Sequence, residues 1–110
     1  MGPVFERARA EGRAVLIGCM PAGFPTVAGS VAAMLAMAEA GVDVIEVEIP
    51  YSDPVMDGPV IQRASEIALA GGVRTADTLR TVEAVATAGV LVVTMTYWNP
   101  VERYGVDAFA

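Results

Sequence analysis

The sequence predicts an α/β fold built on a parallel sheet. Apolar segments of strand length alternate with segments of helical periodicity along the whole 110-residue chain. Two of the strand-like segments begin with the same tripeptide, at 40–42 and 88–90, and a proline follows each strand-like segment closely. Strands that alternate with helices form parallel sheets with right-handed crossovers.

The first two predicted strands are joined by one predicted helix. The continuous apolar run "AVLIGC" (14–19) has the length of a strand. The helix that follows begins at a capping residue, Thr26, and ends at Gly41. Its apolar stripe comprises Val27, Val31, Leu35 and Ala38. The next segment, 42–49, is rich in β-branched residues and is predicted to be the second strand.

Two further helices precede the third predicted strand. The first begins with Pro59 in its first turn and stops at Gly71-Gly72. The second is predicted to begin at a capping residue, Thr75, and to end at Gly89. Its apolar face comprises Leu79, Val82 and Val85. The third strand is predicted over 90–98, and the last residues resemble the start of another helix.

Three parallel strands do not make a complete sheet of this kind. Parallel sheets are buried on both faces, and three strands leave two open edges. We therefore expect residues 1–110 to be the N-terminal portion of a single domain, a (β/α)8 TIM barrel, for which roughly 250 residues are typical. The sequence shows no linker or internal domain boundary.

Composition excludes several classes of function. The net charge is −6 and the seven basic residues are not clustered, so nucleic acid is not an expected partner. The apolar runs are too short to span a membrane. Without histidine and with one cysteine, Cys19, the chain is not expected to bind a metal. A single cysteine is also consistent with a reducing, cytoplasmic location.

The second strand carries acidic residues that its apolar pattern does not explain. Because side chains alternate along a strand, Glu46 and Glu48 share a face opposite Ile45 and Val47. In a barrel this face meets the lumen, and the loop after the strand adds Asp53 and Asp57. Carboxylates in a partly dry lumen are suited to general acid/base catalysis. A strand with one wetted face at a sheet edge explains the pattern equally well.

The segment 46–62 resembles a motif of the tryptophan synthase α subunit family. The family pattern E-x-G-I/V-P-F/Y-S-D-P-x-x-D-G-P-x-I-Q corresponds here to "EVEIPYSDPVMDGPVIQ". Further matches are Pro21-Ala22-Gly23, Gly72-Val73 and the segment 95–109. The resemblance extends over essentially the whole chain but covers less than half of a complete α subunit.

The resemblance implies cleavage of indole-3-glycerol phosphate to indole and glyceraldehyde 3-phosphate, without cofactor or metal. Glu46 matches the residue that moves the protons, and Asp57 matches the acceptor of the indole N–H. Tyr97 and Met95 match positions that line the indole pocket, although core packing explains them equally well. Cys19 stands where relatives often carry an aromatic residue, and as a small buried residue it would need no such role.

The resemblance also implies a partner, the β chain, in an α2β2 tetramer. The matching interface positions are Pro50, Asp53, Pro54 and Asn99. Without the resemblance, Asp53 would be interpreted as a turn cap and Asn99 as part of a turn before Pro100. The prolines restrict the loop, while its small residues allow it to close over substrate.

Two features depart from the family pattern. Glu48 replaces a glycine and lies about 7 Å from Glu46 along the strand, so we expect one of the two carboxyls to stay protonated or to turn aside. The later phosphate-binding loops of the family have no counterpart here. An alternative function is therefore a catalytically inactive half-barrel that serves only as an interaction or scaffold piece. Indole-glycerol-phosphate synthase is a poorer alternative, because it requires a lysine and the chain has none.

Overall fold

The structure, a computed structural model, describes residues 1–110 and contains a three-stranded parallel sheet in the order β1-β2-β3. In chain order the elements are α1 (Gly2–Ala10), β1 (Ile17–Pro21), α2 (Val27–Glu39), β2 (Val44–Glu48), α3 (Pro59–Ala70), α4 (Thr75–Ala86), β3 (Leu91–Met95), α5 (Trp98–Tyr104) and α6 (Val106–Phe109). Helices connect successive parallel strands, as the alternation of segments predicts. None of these helices combines the length and the apolar character needed to cross a bilayer.

The strand boundaries differ from the predicted ones. The first strand covers 17–21 rather than 14–19. The register with β2 begins at Ile17, opposite Val44, and just before it the Leu16 carbonyl accepts the backbone N–H groups of Asp43 and Val44 at 3.0 and 3.3 Å. The third strand ends at Met95, and Trp98 begins α5 rather than ending the strand.

The core confirms which face of β2 meets the helices. Ile45 and Val47 are fully buried in a cluster with Ala22 of the β1–α2 turn, Met34 of α2 and Val85 of α4. The cluster lies on one side of the central strand. The opposite side is therefore left to Glu46 and Glu48, as the alternation predicts.

The face that helix α2 turns to this core agrees with the predicted one only in part. Val27 is 38% exposed, whereas Ser30 and Met34 are fully buried. The Ser30 hydroxyl accepts the backbone N–H of Gly23 at 2.9 Å, which fixes the orientation of the helix. The fully buried positions thus lie one residue before Val31 and Leu35 of the predicted stripe, whereas the last member of that stripe, Ala38, does pack against the core.

Two helix starts agree with prediction and one does not. The Thr26 hydroxyl accepts the N–H of Gly29 at 3.0 Å, which confirms it as a cap. Helix α3 begins at Pro59, as predicted. Thr75, in contrast, is the first helical residue of α4 and not its cap. The start of α4 is held instead by the Asp77 carboxylate, which accepts the backbone N–H of Arg74 at 2.8 Å.

An ion pair that the sequence analysis did not identify anchors the N-terminal segment. Asp43 immediately precedes β2, and its side chain is 3% exposed. Arg13 donates to both of its carboxylate oxygens, at 2.7 and 2.8 Å, and the backbone N–H of Leu16 donates at 2.9 Å. These bonds hold the pKa of Asp43 well below its ordinary value. The pair joins the segment after α1 to the sheet, at the end of β2 away from the acidic loop.

Candidate active site

Carboxylates from β2 and the following loop meet at the C-terminal end of the sheet. Cys19 of β1 is the register partner of Glu46, and Met95 of β3 is the register partner of Glu48. Register partners point to the same face of a sheet, so all four side chains lie on the face opposite the core. Glu46 is half-buried, and Asp57 approaches the same face from the loop.

Glu48 is the most buried of these acids. It is 3% exposed, so it does not turn aside into water. Burial raises its pKa to about 7, and the charge of Asp57, a hydrogen bond with Asp57 and the charge of Glu46 act in the same direction. The sequence predicted that one carboxyl of this face stays protonated, and the raised pKa of Glu48 agrees with that expectation. The sequence did not predict the influence of Asp57 on Glu48, because it depends on the path of the loop.

Tyr97 holds the acidic loop in place. Its hydroxyl donates to Asp57 Oδ2 at 3.2 Å and accepts the backbone N–H of Met56 at 2.9 Å. Its ring stacks on that of Tyr51, with 4.9 Å between the ring centroids. These contacts argue against a purely apolar packing role for Tyr97. The sequence predicted that Tyr97 lines the indole pocket, but it gave no indication that its hydroxyl bonds to Asp57.

Met95 and Cys19 border the same face. Met95 ends β3, is half-buried and accepts the backbone N–H of Ile49 at 3.0 Å. Cys19 is exposed, so its interpretation as a small buried residue is wrong. It lies on an edge strand, where the sheet face has no cover. Desolvation of the thiol, together with the hydrogen bond and charge of Glu46, raises the pKa of Cys19 to about 12.

The four predicted interface residues lie at the same end of the sheet but form no single cluster. Pro50 and Asn99 line a groove of about 760 Å³ between α3, α4 and α5. Pro54 is half-buried and lies outside this groove, as does the exposed Asp53. Asp53 accepts the Ser52 hydroxyl at 2.6 Å. Asn99 is in the first turn of α5, so the interpretation of it as part of a turn before Pro100 is wrong.

An exposed apolar surface is formed by the loop and the start of α3, and sequence analysis did not single it out. Its members are Val55, Met56 and Val60, which are 84%, 78% and 78% exposed. Apolar side chains this exposed, and this close in the chain, are typical of surfaces that contact another protein. The sequence did contain a signal, because Val55 and Met56 are adjacent apolar residues in a segment, 52–58, that otherwise contains only Ser, Asp, Pro and Gly.

Comparison with known proteins supplies the family. A sequence model of the family described as "Tryptophan synthase alpha chain" matches residues 5–110. The chain is 84% identical to the tryptophan synthase alpha chain of Salinispora arenicola and 64% identical to that of Mycobacterium tuberculosis. Each alignment includes all of this chain and 41% of the relative.

Solved structures agree in fold. The open form of tryptophan synthase from M. tuberculosis superposes with a TM-score of 0.95 at 64% identity, over 98% of this chain and 43% of the other. The α subunit from Legionella pneumophila gives a TM-score of 0.90 at 37% identity, over 98% and 42%. The sheet is thus the N-terminal part of a TIM barrel, and the chain spans about 41% of its curated relatives' length. The chain belongs to the tryptophan synthase alpha chain family.

Proposed function

We propose that these residues are the N-terminal part of an enzyme that cleaves indole-3-glycerol phosphate to indole and glyceraldehyde 3-phosphate. The family to which the chain belongs is a family of lyases. The observation that supports this particular reaction is that Glu46, Asp57 and Tyr97 come together on one face of the sheet. An inert scaffold would not need carboxylates held on a half-buried strand face. We also propose that residues 1–110 are one portion of a single domain.

Glu46 is proposed to move the protons. The bond between the indole ring and the glycerol carbon breaks when the ring carbon has accepted a proton and the adjacent hydroxyl loses one. The electrons of the O–H bond then form the aldehyde carbonyl, and those of the broken carbon–carbon bond return to the ring. A half-buried carboxylate on the lumen face can serve both steps, since it gains a proton in one and gives a proton in the other.

Asp57 is proposed to stabilise the positive charge that develops on the ring. Protonation of the ring carbon leaves the indole N–H electron-poor, and a fixed carboxylate accepting that N–H lowers the energy of the transition state. The Tyr97 hydroxyl donates to Asp57 Oδ2, so the carboxylate is held before substrate arrives. Met95, Tyr97 and Cys19 would form the walls around the ring.

The partner is proposed to be a tryptophan synthase β chain, in an α2β2 tetramer. Pro50, Asp53, Pro54 and Asn99 are the proposed contact positions. The exposed side chains of Val55, Met56 and Val60 support them, because they present apolar surface beside this loop. We place the activity in the cytoplasm, where the single thiol of Cys19 would remain reduced.

The test uses a chimera in which residues 1–110 replace the matching segment of the S. arenicola alpha chain, which is 84% identical over these residues. Glu46→Gln should abolish most indole formation, because an amide cannot carry the proton. Asp57→Asn should lower kcat by about 10²–10³, the usual loss for an electrostatic group of this kind. The matched control is Glu83→Gln, an exposed acid of α4, which should leave the rate unchanged. Near-native turnover by both site variants would refute the assignment.

A further inference from the structure

The groove between α3, α4 and α5 carries positive charge in an acidic chain. Its volume is about 760 Å³, and its lining includes Arg74, immediately before α4, and Arg103, in the last turn of α5. No aspartate or glutamate is among its lining residues. The net charge of the whole chain is −6, so this concentration of cations is local. We call this groove the arginine groove.

Both arginines of the groove lack an acidic partner. The chain contains seven arginines, and four of them form ion pairs with a carboxylate. Of the other three, two line the arginine groove, and the third, Arg9, lies on α1. Asp77, the acid in the first turn of α4, bonds to Arg80 and to the backbone N–H of Arg74. The exposed guanidinium groups of Arg74 and Arg103 are therefore free to bind carboxylates of another chain.

Arg74 does not stabilise the helix that it precedes. The residue before a helix usually caps it with a side-chain oxygen, which arginine lacks. A cation at this position also opposes the helix dipole, whose positive end lies here. Asp77 holds the start of α4 instead. Residues that break a local preference without a structural gain are expected at functional sites, so a partner explains Arg74 better than the helix does.

The floor of the arginine groove is apolar. Ile49 and Val73 are buried, Leu69 is half-buried, and Tyr104 contributes an exposed aromatic wall. Arginine and aromatic residues are enriched where proteins contact each other, around an apolar centre. An apolar floor with a cation from α4 and another from α5 fits a segment in which carboxylates flank an apolar side chain.

Closure of the barrel should leave this groove accessible. The remaining strands of a TIM barrel pair with the open edges of β1 and β3. The walls of the arginine groove belong instead to the helices that follow β2 and β3 within this chain. Pro50 and Asn99, two of the proposed contact positions, also line it. A partner that reaches these two positions would therefore meet the arginines.

We propose that the arginine groove binds an acidic segment of the partner β chain. Carboxylates of that segment pair with Arg74 and Arg103, and an apolar side chain packs on Ile49 and Val73. The guanidinium group can bind a carboxylate through two parallel N–H···O bonds, which gives each pair a direction as well as a charge. The identity of the partner rests on the proposed function, whereas the preference of the groove for an acidic segment does not.

The first test measures the affinity of the S. arenicola β chain for the same chimera at several salt concentrations. Arg74→Glu and Arg103→Glu should each raise Kd by about tenfold at low salt, because each replaces an attraction with a repulsion. The effect should shrink as salt screens the charges. The matched control is Arg9→Glu, which changes the net charge equally at the exposed, unpaired arginine of α1 and should leave Kd unchanged.

A peptide assay without the β chain tests the groove itself. The probe is a short labelled peptide of alternating leucine and glutamate, and its counterpart has glutamine in place of every glutamate. The chimera should bind the glutamate peptide about tenfold more tightly, and Arg74→Glu should remove most of that difference. If the chimera does not bind the β chain at all, the proposed partner is wrong, and the peptides still decide whether the groove selects acidic segments.

Three results would overturn the proposal. One is a Kd for the β chain that neither Arg74→Glu nor Arg103→Glu changes. Another is equal binding of the two peptides. The third is a fall in the melting temperature of both groove variants, but not of Arg9→Glu, that accounts for the lost affinity, because the groove would then be filled by another part of the same protein.

Discussion

The Tyr97 side chain connects two parts of the molecule that are distant in sequence. Its hydroxyl bonds to Asp57 and to the backbone of Met56, and its ring stacks on Tyr51. The loop after β2 is therefore attached to the start of α5. This attachment fixes the carboxylate that we propose to receive the indole N–H.

We expect Tyr97→Phe to lower kcat for indole formation by about 10- to 100-fold, because a hydrogen bond to a charged group contributes about 1.5–3 kcal/mol. Phenylalanine retains the stacked ring, so KM should change less than kcat. Steady-state indole formation by the chimera measures both constants. Tyr104→Phe is the control, since Tyr104 lies at the end of α5 and packs edge-on against Phe109 instead of contacting the site. Equal kcat values for the Tyr97 variant and the unsubstituted chimera would contradict this role.

For single residues, the sequence predicts the face of the sheet on which a side chain lies better than it predicts which side chains contact each other. Strand alternation correctly assigns Glu46 and Glu48 to the face away from the core. It does not predict that Asp57 acts on Glu48, because a loop with two prolines, Pro50 and Pro54, determines where Asp57 returns to the sheet. It also misses Asp43, whose partner Arg13 lies 30 residues earlier in the chain.

Helix α2 shows why periodicity alone can select the wrong face of an element. Its sequence, "VAGSVAAMLAMAE", is apolar on nearly every side, so several stripes fit a helical repeat. Such a pattern predicts a surface position for Ser30, yet Ser30 is buried because its hydroxyl accepts a backbone N–H of the β1–α2 turn. A polar side chain with a backbone partner thus decided the orientation of the helix.

Substitutions on α2 can test the corrected orientation. Met34→Ala should reduce the free energy of unfolding by about 2–5 kcal/mol, because a fully buried side chain leaves a cavity. Val27→Ala, on the predicted but exposed stripe, should change it by less than about 0.5 kcal/mol. Urea unfolding of the two chimeras gives the values. If Val27→Ala reduced the free energy of unfolding more than Met34→Ala, the originally predicted face would be the buried one.

The start of α5 shows a different source of error. The run "TMTYW" is rich in residues that favour strands, which extends the predicted strand to Trp98. The structure ends that strand at Met95, and the extended backbone of Tyr97 (φ −85°, ψ 160°) leads into a helix. Pro100 is tolerated there because the first turn of a helix leaves its N–H groups unpaired.

The molecule as a whole is more open than a closed domain of its size. Its accessible surface is 6507 Å², against roughly 5,800 Å² expected for a compact protein of this mass. The radius of gyration is 14.3 Å, compared with about 13 Å expected. Both differences follow from a parallel sheet of three strands that has not closed into a barrel. The sequence predicts this openness correctly, because counting strands requires no knowledge of contacts.

Open edges should make the isolated 110-residue chain self-associate. β1 and β3 each have one unpaired edge, and the exposed fractions of Leu16 and Ile17 beside the first edge are 59% and 45%. An unpaired edge offers N–H and C=O groups to other chains, and burial of the adjacent apolar side chains adds to the association. The chimera, in which the remaining strands of the relative can cover both edges, should not share this behaviour.

Sedimentation velocity over a range of concentrations would measure the association of the isolated chain and of the chimera. We expect the isolated chain to sediment faster as its concentration rises, to bind a hydrophobic dye and to unfold over a broad temperature range. The chimera should show one concentration-independent α-subunit species when no β chain is present, with a sharp transition. A monomeric isolated chain that unfolds cooperatively at every concentration would mean that the three-stranded sheet is stable with both edges open. The exposed residues at the edges would then have to be explained by local structure instead of by the absence of neighbouring strands.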